Sequence, residues 1–134
     1  MTIRAIDHIN IATTKLGESR DFYVNVLGLT EGERPPFDFE GHWLYAGGFP
    51  IVHMQLSPRD VTSSTLSGLN HAAFQVADFD ALIARLEAAG VRYTKVLVPG
   101  TTIRQAFFFD PNGVRLELNE ARAVKGASST TQGF

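Results

Sequence analysis

A strand-like stretch that occurs twice constrains this chain more than any other feature. In Asp7-His8-Ile9-Asn10-Ile11-Ala12, apolar Ile9 and Ile11 alternate with polar His8 and Asn10, the period of a strand with one greasy and one polar face. Asn70-His71-Ala72-Ala73-Phe74-Gln75-Val76 repeats that alternation, with His71, Ala73 and Gln75 on one face. The two histidines stand 63 positions apart; His53 and Glu117 stand 64 apart, and Gly28 and Gly90 stand 62 apart. Three landmarks that agree within two positions point to a duplicated unit. Units of about 60 residues are marginal alone, so the two copies must share a core.

Each copy reads as strand, helix, strand, strand, strand. In the first, the apolar positions Phe22, Tyr23, Val26 and Leu27 make a helical stripe over 18–27, with Gly28 as its stop. A short strand near 29–33 follows, then a loop over 34–41 with Pro35-Pro36, Phe37 and Phe39. Trp43-Leu44-Tyr45 turns at Gly47-Gly48 into Ile51–Leu56, where His53 and Gln55 share a face. Module 1 is thus expected over 4–56, an aperiodic linker over 57–69, and module 2 over 70–121. In module 2, Asp78 caps a helix through Ala89 with the stripe Phe79, Leu82, Ile83 and Leu86, and Gly90 stops it. A strand follows within 91–98. Ile103–Phe109 is another, and the turn Asp110-Pro111-Asn112-Gly113 returns it through 114–119, with Arg115, Glu117 and Asn119 on one face. Together these make one domain over 1–124, followed by a polar tail over 125–134.

Composition excludes several function classes. A formal charge of −2 with scattered Lys and Arg argues against a nucleic-acid partner. The absence of cysteine removes disulfides, thiolate metal sites and a cysteine nucleophile. No apolar run approaches ~20 residues and no signal-peptide pattern opens the chain, so a cytoplasmic protein without a membrane partner is expected.

The polar faces of the first and last strands of each copy carry His8, His53, His71 and Glu117. Alone, each would read as an ordinary surface or hydrogen-bonded polar residue. At equivalent positions of a duplication they become a candidate metal set, since imidazole and carboxylate are the ligands that intermediate divalent ions prefer. Asn10, Gln55, Gln75, Arg115 and Asn119 share those faces and are the candidate substrate contacts, Arg115 for an anionic group. His42 has no repeat equivalent and reads as structural or exposed. Asp7 and Asp110 read as the start of a strand and as turn chemistry.

This layout resembles the vicinal oxygen chelate superfamily of glyoxalases, bleomycin resistance proteins and extradiol dioxygenases. The resemblance spans about 4–121 and rests on Asp7-His8-Ile9-Asn10-Ile11, on Phe22-Tyr23 with Leu27-Gly28-Leu29, and above all on Asp110-Pro111-Asn112-Gly113-Val114-Arg115-Leu116-Glu117-Leu118. It implies an α+β fold in which two tandem βαβββ modules form a cupped, barrel-like mixed sheet. Metal ligands then fall on the first and last strands of each module, at His8, His53, His71 and Glu117.

The resemblance implies a metal-dependent lyase or isomerase acting on a small molecule that chelates a divalent ion (Ni, Co, Zn, Mn or Fe(II)) through neighbouring oxygens. His53 and Glu117 are the candidates for acid–base work. Glyoxalase I proper has a carboxylate base where this chain has His53, which points away from strict lactoylglutathione lyase activity. One alternative is an extradiol-type dioxygenase, for which His8, His71 and Glu117 supply a two-histidine, one-carboxylate set. Another is a metal-free binding protein that holds an aromatic molecule against Phe37, Phe39, Trp43 and Tyr45. A homodimer is expected, because related proteins complete the cup within one chain or across two.

Overall fold

A computed structural model describes residues 2–120; the tail expected over 125–134 lies outside the described residues. Both modules form as the repeat requires. The first runs β1 (Ile9–Thr13), α1 (Leu16–Asp21) continuing into a π-helical turn (Phe22–Val26), β2 (Thr30–Gly32), β3 (Gly41–Ala46) and β4 (Phe49–Leu56). The second runs β5 (His71–Val76), α2 (Phe79–Ala88), β6 (Thr94–Leu97), β7 (Arg104–Phe109) and β8 (Arg115–Glu120), after a short 3₁₀ turn at Ser64–Leu66 in the linker. Each module is a four-stranded mixed sheet, ordered β1-β4-β3-β2 and β5-β8-β7-β6, with the first and last strands parallel. The two sheets remain separate, so within one chain the expected cup is not closed.

Local chemistry accounts for the elements. Asp78 accepts a hydrogen bond from the Ala81 backbone N–H and starts α2, and Gly90 stops it at φ +69°. The first helix begins at Leu16, earlier than its apolar stripe suggests, and widens to a π turn in which Leu27 N–H reaches Phe22 O. That extra residue per turn keeps Tyr23 and Val26 both buried. Gly47 and Gly48, both at positive φ, make the tight β3–β4 turn that only such residues allow.

One shared core joins the halves. Ile11, Leu44, Val52 and Met54 from the first sheet meet Tyr23 and Val26, while Phe79, Ile83 and Leu86 of α2 meet Ala106, Phe108, Leu116 and Leu118 of the second sheet. The helices therefore lie between the sheets, back to back, and α2 docks on the π turn through Arg85, which donates to the carbonyls of Val26 (3.1 Å) and Asn25 (3.2 Å). The buried Tyr23 hydroxyl donates to Asp110 Oδ2 at 2.7 Å, and Asn112 donates to Ser19 Oγ at 2.9 Å. Both polar faces consequently point away from the core: Asn10 and Ala12 are exposed on one side, His71, Ala73 and Gln75 on the other. Among the described residues, no helix is long and apolar enough to cross a membrane.

Candidate functional site

Strand register puts the candidate residues in equivalent rows. In the first sheet Asn10, His53 and Trp43 stand side by side across β1, β4 and β3; in the second, Ala73, Glu117 and Phe107 stand in the same row of β5, β8 and β7. His8 and His71 each lie two positions before the first member of that row. The duplication thus makes His53 the counterpart of Glu117, and Trp43 that of Phe107.

The first half-site is a stack. The His53 ring lies between His8 (centroids 3.7 Å, planes 13° apart) and Trp43 (4.0 Å, 13°). Its Nε2 is buried and has no hydrogen-bond partner. Burial holds the imidazole below its usual pKa, helped by the adjacent His8 and by Arg34 and opposed by a hydrogen bond to the Pro50 backbone and by the Asp7 charge, so the neutral, ligand-competent form is favoured. His8 Nδ1 pairs with Asp7 Oδ2 at 2.7 Å. A carboxylate there keeps the proton on Nδ1 and leaves the Nε2 lone pair free. Asn10 donates to Gln55 Oε1 at 2.9 Å beside them.

The second half-site centres on a buried carboxylate. Glu117 is only 8% exposed, and its Oε2 accepts from Asn119 and from Gln105 (3.4 Å). Its Oε1 faces His71 Nε2 at 3.5 Å. The His71 Nδ1 meets Asn70 Oδ1 at 2.9 Å; a carbonyl oxygen can only accept, so Nδ1 carries a proton. Arg115 lies over the Phe107 ring (4.4 Å) and donates to Asn70 Oδ1 (3.4 Å), while Gln75 is exposed on the same face.

The expected ligands therefore come together in two pairs, His8 with His53 and His71 with Glu117. Among the described residues of one chain, no three His, Asp or Glu side chains converge as a group that would hold an ion. The pairs sit on opposite outward faces of a back-to-back fold, so the duplication aligns them without joining them. The His8 and His53 rings are stacked face to face, 13° from parallel. Sharing an ion would require one ring to swing.

Four contributors were missed from the sequence, Asn70 at His71 among them. Asp7 orients His8, Gln105 holds Glu117, and Arg34 lines a cavity of about 270 Å³ with His8, His53, Phe37, Phe39 and Trp43. Only the aromatic-rich loop signalled the last. Tyr45, expected with those aromatics, does not line the cavity; its hydroxyl donates to the Glu33 carbonyl. His42 pairs with Glu31 at 2.7 Å, away from the stack.

Comparison with known proteins agrees with this architecture. The chain is 30% identical over 123 residues to Glyoxylase I 4 of Arabidopsis thaliana, covering 87% of this chain and 70% of that protein. It is 32% identical over 120 residues to the glutathione transferase FosA of Serratia marcescens, covering 87% and 81%. Its fold matches that of the fosfomycin resistance protein FosX of Listeria monocytogenes, solved with Mn(II) and 1S,2S-dihydroxypropylphosphonic acid, with a TM-score of 0.72 at 18% identity over 91% of this chain and 95% of that one. A model of the glyoxalase/bleomycin resistance protein/dioxygenase superfamily matches residues 5–118, and the chain belongs to that superfamily.

Proposed function

We propose that this protein is a metal-dependent lyase or isomerase of the glyoxalase type, and that its working unit is a pair of chains. The observation that carries this reading is the pair of complementary half-sites facing outward: two stacked imidazoles on one sheet, an imidazole and an oriented carboxylate on the other. In a twofold pair, His8 and His53 of one chain meet the partner's His71 and the partner's Glu117. The donor set fits a divalent ion: three imidazoles and one carboxylate, with a buried, unpartnered His53 Nε2 that gains a partner on binding. FosA and FosX, similar in sequence or fold, lend this reading support, and FosX was solved with Mn(II).

When bound, a divalent ion supplies a Lewis acid that polarises neighbouring oxygens of a small substrate. The chain does the rest. Asp7 and Asn70 fix the tautomers of His8 and His71; Gln105 and Asn119 aim Glu117. His53, kept neutral by burial, by the adjacent His8 and by Arg34, would either ligate the ion through its Nε2 lone pair or, released from it, accept a proton there. Gln55 and Asn10 border the substrate space.

Metal analysis of mixed variants tests this reading. H53A and E117A homodimers should each lose most metal and turnover on thiohemiacetal or acyl-thioester substrates. Mixing them, after mild dissociation, should restore about one site in two within heterodimers, since one composite site then holds neither change. No restoration defeats the cross-chain site. Iron with oxygen uptake on catechols would replace the lyase reading with a dioxygenase, and no metal with tight aromatic binding would replace it with a sequestering protein.

A further inference from the structure

Two buried polar nitrogens without partners line the same cavity. One is His53 Nε2; the other is Nε of Arg34. The guanidinium of Arg34 is held in place on three sides. It lies over Phe37 (5.0 Å) and Phe39 (4.9 Å), and Nη2 donates to the Phe39 carbonyl at 2.9 Å. Beneath it is Gly41, where a Cβ would come within 2.8 Å of Nη2 and 2.2 Å of the Met54 carbonyl. Glycine is therefore required for the arginine to lie there. Among the described residues, no carboxylate pairs with this guanidinium, although elsewhere Arg20 and Arg104 pair with acidic neighbours. A pre-seated cation with a buried, unused N–H is a costly arrangement unless something completes it.

The surroundings say what kind of group completes it. Phe37 and Phe39 are stacked (centroids 5.1 Å, 18°), Phe37 lies 6.4 Å from Trp43, and both phenylalanines are more than two-fifths exposed. Flat apolar surface and a fixed planar cation thus border one space beside the His8–His53 stack. We propose that Arg34 is the specificity-determining residue of this site, anchoring an oxyanion group, carboxylate or phosphoryl, of a ligand whose flat apolar body lies against Phe37, Phe39 and Trp43. Arg34 rather than Arg115 then selects the anion, because Arg34 lines the cavity and keeps a buried Nε without a partner, and Arg115 does neither. The inference rests on the placement of the substrate beside His8 and His53, and it requires no metal to be tested.

Trp43, the only tryptophan, reports on this cavity directly. Its fluorescence should be titrated in metal-free protein with benzoate, phenylphosphonate and neutral benzamide. Benzoate or phenylphosphonate should quench saturably and bind at least about tenfold more tightly than benzamide; whichever anion wins identifies carboxylate or phosphoryl recognition. R34Q should abolish that preference, bringing the anion down to the level of benzamide, and R34K should keep part of it. Equal binding of charged and neutral probes, or an unchanged preference in R34Q with native circular dichroism, would overturn the assignment. A protein that binds no metal yet shows the anion preference would sink the lyase reading and leave this one standing.

Discussion

The Tyr23 hydroxyl reaches across 87 positions of sequence to donate to Asp110 at 2.7 Å, in a buried setting. This bond ties the π turn of the first module to the β7–β8 turn of the second. Asp110 also accepts from the backbone N–H groups of Asn112 (2.7 Å) and Val114 (2.9 Å), so one carboxylate shapes its own turn and fastens the halves together. Burial and the adjacent carboxylate push the Tyr23 phenol well above its usual range, keeping the donor protonated.

Y23F should therefore destabilise the protein by about 1–2 kcal/mol, the usual cost of a buried acceptor losing its donor. Urea denaturation would read it as a lower midpoint with an unchanged slope. Metal binding per folded chain should not change, because Tyr23 lies on the inner side of the sheet.

G113A should cost about as much for a different reason. Gly113 has φ +78°, and an added Cβ would sit 3.2 Å from the Ser63 backbone, where the linker hydrogen-bonds to the turn. Thermal melting of G113A and of the double variant with Y23F would show non-additive losses, since both changes loosen the same turn.

Asp7 was read as no more than the start of a strand, yet it holds His8 Nδ1. D7N should weaken divalent-metal affinity by about 10–100-fold while leaving the fold intact, as for other groups that orient a ligating histidine. Competition with a chromogenic chelator measures this directly; wild-type affinity would return Asp7 to its bland role.

His53 also gives a pH prediction for the metal-free chain. Its folded pKa lies below the ordinary 6.5, first through burial and then through His8, so between those two values the unfolded chain takes up a proton that the folded one refuses. Stability should thus fall as pH drops below about 6.5 and flatten below the depressed folded value. In H53Q the difference in urea midpoint between about pH 7.5 and about pH 5.5 should shrink.

Much of this was legible in the sequence, and the failures have physical causes. Periodicity and the 63-residue repeat gave both modules and the faces of His8, His71 and Glu117, because a strand's two sides differ in their exposure to water. Counting back from the Gly47-Gly48 turn, however, would set His42 opposite His53. An irregularity between Leu44 and Ala46 shifts the register by one and brings Trp43 there instead. Alternation also says which residues share a face and nothing of which faces meet, so the separation of the two pairs was hidden. Of the motifs that carried the family resemblance, Phe22-Tyr23 and the Asp110-Pro111-Asn112-Gly113 part of the longest one mark the fastening between modules.

That fastening has a consequence for how such a protein would behave in a cell. With its halves locked rear to rear, a chain on the proposed reading owns two incomplete benches and no workshop, so catalytic output should rise more steeply than linearly with protein concentration until every molecule has found its mate. Scarcity alone would then act as an off switch, with no inhibitor needed.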